Sequence, residues 1–320
     1  MTEDRAGVVI LTHNRPGDLA RTLERLLALP EQPRVVVVDN ASTSDPAPAL
    51  AVRFHGVEIV RLPENIGAAG RNAGVARLDT PYVAFCDDDA WWAPGMLARA
   101  ADLLDAHPRL GLVAGKVLVG PGERVDPTCL EMALSPLAAT PRLPGRPVLG
   151  FLCAAAMVRR RAFLQVGGFE PRLFLGGEEH LLAIDLAAAG FALAYVDDVI
   201  VHHHPSTQRQ AARRRRLLLR NALWCAWLRR PAPAALRVTL ALVRARRRDP
   251  ALVPALAAAL AGAPWILRHR RVVPREVERG LRTLELGLAA SAEPGWPERH
   301  AGCNAGTTCR RLPRRGTWAA

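Results

Sequence analysis

Four short apolar runs open the chain: VVILT at residues 8–12, VVVV at 35–38, VEIVR at 57–61 and PYVAFC at 81–86. Runs this short and nearly free of polar alternation mark strands covered on both faces, as in a parallel sheet. Between them the period becomes helical. Residues 18–29 put Leu19, Leu23, Leu26 and Leu27 on one face, and residues 68–77 and 96–106 read as two further helices. Strands alternating with helices predict an α/β fold, a Rossmann-like, mostly parallel sheet flanked by helices with right-handed crossovers.

Farther on, residues 120–147 are irregular and rich in proline, and LGFLCAAAMV at 149–158 resumes the apolar pattern. RRAFLQVGG at 160–168 and residues 178–189 read as helices, the second closed by Gly190. FALAYVDDVIVHHHP at 191–205 reads as one or two strands ending on three histidines. From residue 208 the composition shifts to Arg, Ala and Leu, and RRRRLLLRNALWCAWLRR reads as an amphipathic helix carrying Trp224 and Trp227. Residues 250–267 lack charge but are interrupted by Pro254 and Pro264, too broken for a membrane-spanning helix. The expected organisation is a catalytic domain at 1–206, a basic helical appendage at 207–300 and a disordered tail at 301–320.

Charge divides the same way. Residues 205–320 hold 24 of the 43 basic residues but six of the 30 acids, whereas residues 1–204 hold 19 bases against 24 acids. The net charge of +13 therefore belongs to the last third and says little about the chemistry of the rest. The six cysteines show no CxxC spacing, which fits scattered thiols in a reducing cytoplasm. MTEDRAG is polar and runs straight into a strand, so no cleaved secretion peptide is expected. No recognition motif for nucleic acid is present, and none is expected as a partner.

CDDDAWW at residues 86–92 ends a buried strand on three consecutive carboxylates. Like charges repel, so a cluster of this kind calls for something positive, and hard oxygen ligands suit Mg²⁺ or Mn²⁺. Asp87 and Asp89, one residue apart on an extended segment, can share a side, leaving Asp88 to face elsewhere. Trp91 and Trp92 either stack on a ligand ring or fill the core. No GxxxxGK[ST] loop exists, and the glycines of NIGAAGRNAG do not match GxGxxG.

In order along the chain stand THNRP, VVDNAS, PENIGAAGRNAG, FCDDDA, GGEEHLLAIDLAAAG and HHHPS. This series resembles the family 2 glycosyltransferases, inverting enzymes of GT-A fold that use nucleotide-activated sugars, and it covers roughly residues 7–206. The resemblance implies that Asp87 and Asp89 bind the metal, with Asp87 and Asp88 also touching the nucleotide-sugar. It places Asp39 and Asn40 at the nucleobase, with an Asx-turn at the strand end as the blander, lesser alternative for Asp39. Thr12, Arg15, Arg71 and Asn72 would line the nucleotide pocket. Glu179 falls at the position of the catalytic base, where the family usually carries Asp, and Glu178 would orient acceptor hydroxyls. His202, first after the apolar VIV, would complete the metal shell or touch the diphosphate.

The expected activity is metal-dependent transfer of a sugar from a UDP-, dTDP- or GDP-linked donor to a glycan or lipid-linked acceptor, in the synthesis of envelope polysaccharide or glycolipid. Two rivals are a sugar nucleotidyltransferase and a non-catalytic relative held at the membrane. The basic region, with Arg213 to Arg216 and the two tryptophans, would either meet an anionic membrane surface or pack on the catalytic domain. The expected location is the cytoplasm, with the inner face of the plasma membrane as the site of any peripheral association.

Overall fold

The computed structural model describes residues 5–139, 142–205 and 211–290. The anticipated boundary at 206 and the anticipated tail at 301–320 both lie outside the described residues. The strands are β1 (Ala6–Thr12), β2 (Val35–Asp39), β3 (Glu58–Arg61), β4 (Tyr82–Asp87), β5 (Ala90–Trp92), β6 (Leu110–Val119), β7 (Arg124–Val125), β8 (Arg146–Pro147), β9 (Ala156–Arg159) and β10 (Ala192–His203). They form one sheet in the order β3-β2-β1-β4-β9-β6-β10-β5, with β7 on β6 and β8 on β10.

The first four strands pair in parallel, as their unbroken apolar runs require. Beyond β4 the sheet is mixed. β9 runs antiparallel to both β4 and β6, β6 and β10 are parallel, and β5 is antiparallel to β10. β10 is a single strand whose register with β6 jumps between Val196 and Ile200. Helices Pro16–Leu27, Arg71–Arg77 and Met96–Ala106 occupy the crossovers. Gly74 lets the second of these lie against the sheet, since a Cβ there would stand 2.5 Å from a Val9 methyl.

Several elements, β6 and helix Ala47–Arg53 among them, are not read from the sequence, and two of these bear on the site. Pro127–Ala133 is a helix inside the Pro-rich stretch, its N-terminus capped by Asp126, whose side chain accepts from the Thr128 amide. β5 is three residues long, too short for any pattern.

The C-terminal helices Ala211–Arg229, Ala232–Arg246, Leu252–Ala261, Ala263–His269 and Arg275–Ala290 pack on the sheet domain through helix Glu178–Ala188. Leu173 and Leu181 join Trp224, Cys225, Leu228, Trp265 and Ile266 in one apolar cluster, and Ile184 joins Val273 and Leu281 in another. Arg229 pairs with Asp185. Trp224 is 7% exposed, and the Trp227 indole donates to Thr239 at 3.0 Å. Of the two readings of this region, packing therefore describes both tryptophans. Cys86, Cys129, Cys153 and Cys225 are buried free thiols.

Candidate active site

The carboxyl ends of β1 and β4 meet at one edge of the sheet, where ligands bind in open α/β folds. β4 ends on Asp87, and a tight turn through Asp88 and Asp89 leads into β5. Because β5 pairs antiparallel with β10, Ala90 lies opposite His203 and Trp91 opposite His202. This register carries His203 to Asp89, with Nε2 3.1 Å from Oδ1. One ligand atom each from Asp87, Asp89 and His203 lies within 4.8 Å of the others. Two hard carboxylates and an imidazole fit a divalent cation of the Mg²⁺ or Mn²⁺ class.

His202 does not belong to this group. Successive side chains on a strand point to opposite faces. β10 runs through His203 rather than stopping at VIV, so His202 faces away, its Nδ1 3.2 Å from Glu123. It stacks on Trp91 at 5.7 Å, with Arg25 above the same indole. Trp92 is fully buried and donates to the Phe85 carbonyl. Both tryptophans lie outside the main cleft, on the wall of a separate cavity of 440 Å³ with Arg25, Glu123 and His202, and neither is placed to stack on a ligand in the main cleft.

Asp88 also departs from expectation. Its carboxylate is held inward, accepting from the Thr12 hydroxyl at 2.9 Å and from Arg15 at 3.1 Å. Burial pushes its carboxyl up to about 7, against the opposing pull of Arg15 and the Thr12 hydrogen bond. Arg15 also reaches Asp89 at 3.4 Å, so Thr12, Arg15 and Asp88 form a scaffold beneath the candidate metal ligands. Arg71, 8% exposed, donates to Asp87 from the opposite side.

Two of the expected nucleotide contacts, Asn40 and Asn72, turn out to be engaged elsewhere. Asp39 is fully buried, accepts from the Ser42 amide at 3.0 Å in an Asx turn and sits 3.3 Å from Arg61, while its Oδ2 has no hydrogen-bond partner among the described residues. Asn40 spends its side-chain amide on Gly67 and Ile66, pinning the NIGAAG loop beside it. Asn72, about 100° around its helix from Arg71, bonds both backbone groups of Phe169 and leaves the cleft altogether. Gly67, at φ 65°, packs against backbone rather than awaiting a nucleotide. A Cβ there would lie 1.9 Å from the Phe174 carbonyl oxygen, which accepts from the Ala68 amide.

Glu178 and Glu179 begin helix Glu178–Ala188, after Gly176 and Gly177 at φ 83° and 93°. Two glycines in left-handed conformations turn the chain so that both acids enter the cleft at a helix N-terminus. Glu178 is buried, and its Oε2 has no hydrogen-bond partner among the described residues. Half-buried Glu179 accepts from the Cys153 amide at 2.6 Å. The longer side chain at this position thus has a partner, the backbone just ahead of β9. Burial raises the pKa of both carboxyls, and the Glu178 charge raises that of Glu179 further.

The loop carrying these acids is gripped by helix Ala211–Arg229. Asn221, fully buried, donates to the carbonyls of Leu173, Leu175 and Gly176, and Arg220 donates to those of Arg172 and Leu173. Asn221→Ala leaves buried carbonyls unmet and is expected to cost about 2 kcal/mol, with a larger fall in kcat than rise in KM. Urea unfolding and steady-state kinetics check both; unchanged unfolding would show that the grip is idle.

The aspartate cluster, His203 and the glutamate pair open into one cleft of 1080 Å³. Its polar lining includes Thr12, Arg15, Asn40, Arg71, Asp87, Asp88, Asp89, His203 and the glutamate pair. A second wall comes from helices the sequence treated as an appendage, through Arg213, Arg214, Leu217, Leu218, Val238 and Leu281. Helix Pro127–Ala133 and its C-cap add Leu130 and Leu134, which are 53% and 81% exposed. His203 and this second wall are what the sequence reading missed. Strand alternation could have favoured His203 had the end of β10 been known, whereas nothing local signals the wall.

Comparison with known proteins bears on the family and the fold. Over 225 residues the chain is 28% identical to the N-acetylglucosaminyl-diphospho-decaprenol L-rhamnosyltransferase of Mycobacterium tuberculosis, a match covering 59% of this chain and 72% of that one. The mannosyltransferase PcManGT from Pyrobaculum calidifontis, solved with GDP-Man and Mn²⁺, superposes with a TM-score of 0.54 at 21% identity, over 92% of this chain and 88% of that one. S. aureus TarS superposes with a TM-score of 0.52 at 18% identity; the match covers 68% of this chain and 40% of the TarS chain. At such identities the two structures speak for the fold, which is GT-A with added C-terminal helices. The family model for glycosyl transferase family 2 matches residues 7–167, half of the chain and the part that carries the aspartate cluster, and the protein belongs to that family.

Proposed function

We propose that the protein is an inverting, divalent-metal-dependent glycosyltransferase that moves a sugar from a nucleoside diphosphate to a hydroxyl of a lipid-linked acceptor in cell-envelope synthesis. The observation that carries this reading is the joining, in one cleft, of the Asp87–Asp89–His203 cluster, the glutamate pair and an apolar wall. Residues 1–206 would form the catalytic unit and the helices of 207–300 would complete its acceptor side. The site of action would be the cytoplasmic face of the plasma membrane, where water-soluble donor and lipid acceptor can meet.

Glu179 takes the proton from the acceptor hydroxyl, whose oxygen forms its bond to the anomeric carbon as the bond from that carbon to the nucleotide oxygen breaks. One displacement on the face opposite the leaving group inverts the anomeric centre. Glu178, with an oxygen free of hydrogen bonds, accepts from a neighbouring acceptor hydroxyl and keeps the nucleophile aligned. Arg15 and Arg71 hold Asp89 and Asp87 in place from either side. A divalent cation held by Asp87, Asp89 and His203 would supply positive charge to stabilise the departing nucleoside diphosphate.

The lipid-linked class is favoured over a free glycan by exposed Leu130 and Leu134 and by Arg213 and Arg214, which line the same cleft and suit a diphosphate attached to a hydrocarbon chain. The rhamnosyltransferase relative is itself named for such an acceptor. Of the rivals, the nucleotidyltransferase and the non-catalytic relative are set aside by the family match and the transferases it resembles.

The test is donor binding and slow donor hydrolysis with UDP-, dTDP- and GDP-sugars, with Mn²⁺ or with EDTA. One donor is expected to bind in a metal-dependent way and to be turned over when a polyprenyl-diphosphate sugar is added. Binding of no donor under either condition would overturn the reading.

A further inference from the structure

From Ala251 to Leu267 the chain carries no charged residue. The segment folds as helices Leu252–Ala261 and Ala263–His269, bent by 54° at Gly262. Its inner face is accounted for. Leu252 and Ala255 pack on Leu219, Leu223 and Leu242, while Trp265 and Ile266 pack on Trp224 and Leu228. The outer face of a surface helix is ordinarily polar. Here it is Val253, Ala257, Leu260, Pro264 and Leu267, a run at spacings of three and four residues. Val253, Leu260 and Leu267 are 74%, 73% and 76% exposed, three apolar side chains on one face where single ones are ordinary.

We propose that this stripe is a membrane-docking surface that lies flat on an anionic bilayer. The charges around it choose the occupant. Exposed Arg244, Arg247 and Arg248 precede the stripe, and exposed Arg268 and Arg271 follow it. The acid between them, Asp249, is paired with Arg215 and offers no competing field. Apolar side chains between arginines match the layered chemistry of a bilayer surface, acyl chains beneath phosphates. The pair is bent by 54° and its inner face is packed on helix Ala211–Arg229, so it rests on the membrane and does not cross it. The dock differs from the one anticipated from sequence, since Trp224 and Trp227 are committed to packing. It does fit the proposed acceptor: helix Ala232–Arg246, which lends Val238 to the cleft, leads directly into the arginines that border the stripe.

The experiment is co-sedimentation of the full chain with vesicles of phosphatidylcholine alone and of phosphatidylcholine with phosphatidylglycerol. The anionic vesicles are expected to bind at least about tenfold more tightly, and high salt to weaken that binding. A Val253→Ser, Leu260→Ser, Leu267→Ser variant is expected to lose at least about tenfold in binding without a change in melting, because all three side chains are exposed. Wild-type protein that stays in solution with both vesicles, or a variant that binds as the wild type does, overturns the proposal. So does light scattering that finds a dimer converted to monomer by the substitutions while vesicle binding holds, for the face would then serve a second copy. Donor binding followed in the same samples keeps a failure of docking distinct from a failure of the transferase reading.

Discussion

Glu179→Gln is expected to lower kcat by about 10²- to 10⁴-fold while donor affinity changes by less than about twofold. Glutamine keeps the length and the carbonyl oxygen that can accept from the Cys153 amide, so the fold around the site has no reason to move. What it loses is the capacity to take a proton. A desolvated carboxyl beside Glu178 is a stronger base than one in water, and its pKa is raised in consequence. The sign follows directly. Only the ionised form is a base, so the wild-type rate should rise with pH as the raised pKa is passed, and the glutamine variant should lose that limb. Glu179→Asp, one methylene shorter, would forfeit the Cys153 contact and is expected to fall between the two. A glutamine variant within a few-fold of wild type, with the same pH profile, would remove Glu179 from the chemistry. Transfer rates measured from pH 6 to 9 decide it.

Asp89→Asn is expected to abolish metal-dependent donor binding, weakening it by about 10²-fold or more. Asp89 is 5% exposed and placed between His203 and Arg15, so no other carboxylate can take over its position. Isothermal titration with donor and Mn²⁺, repeated with EDTA, gives the result directly. The informative companions are the two histidines. His203→Ala should weaken metal-dependent binding by about 10-fold or more, whereas His202→Ala, which removes only the stack on Trp91 and the Glu123 contact, should leave it within about twofold. The reverse order would mean that the register of β10 against β5 is wrong. Donor binding by Asp89→Asn that is unchanged and insensitive to EDTA would remove the metal from the mechanism.

The pair of histidines shows where reading from sequence stops. Alternation along a strand says that His202 and His203 face opposite sides; it does not say which side holds the metal. That depends on where β5 docks, and a three-residue strand leaves no periodic trace. Asn40 and Asn72 teach a related lesson. Both lie in segments that resemble nucleotide-binding loops, yet each side-chain amide both donates to and accepts from backbone groups of a neighbouring loop distant in sequence. A free amide and an engaged one have the same letter.

Local pattern by itself determined the parallel half of the sheet, because strands buried on both faces must be continuously apolar. It also determined the aspartate cluster at the end of β4 and the glutamate pair after two glycines, since clustered like charge and left-handed turns are costly enough to be visible in one short stretch. Tertiary structure alone decided that His203 joins Asp87 and Asp89, that Asp88 turns inward to Thr12 and Arg15, and that the basic C-terminal helices wall the cleft. These are contacts between residues 70 to 200 positions apart, and they arise from strand register and helix docking, which many distributed packing contacts set together.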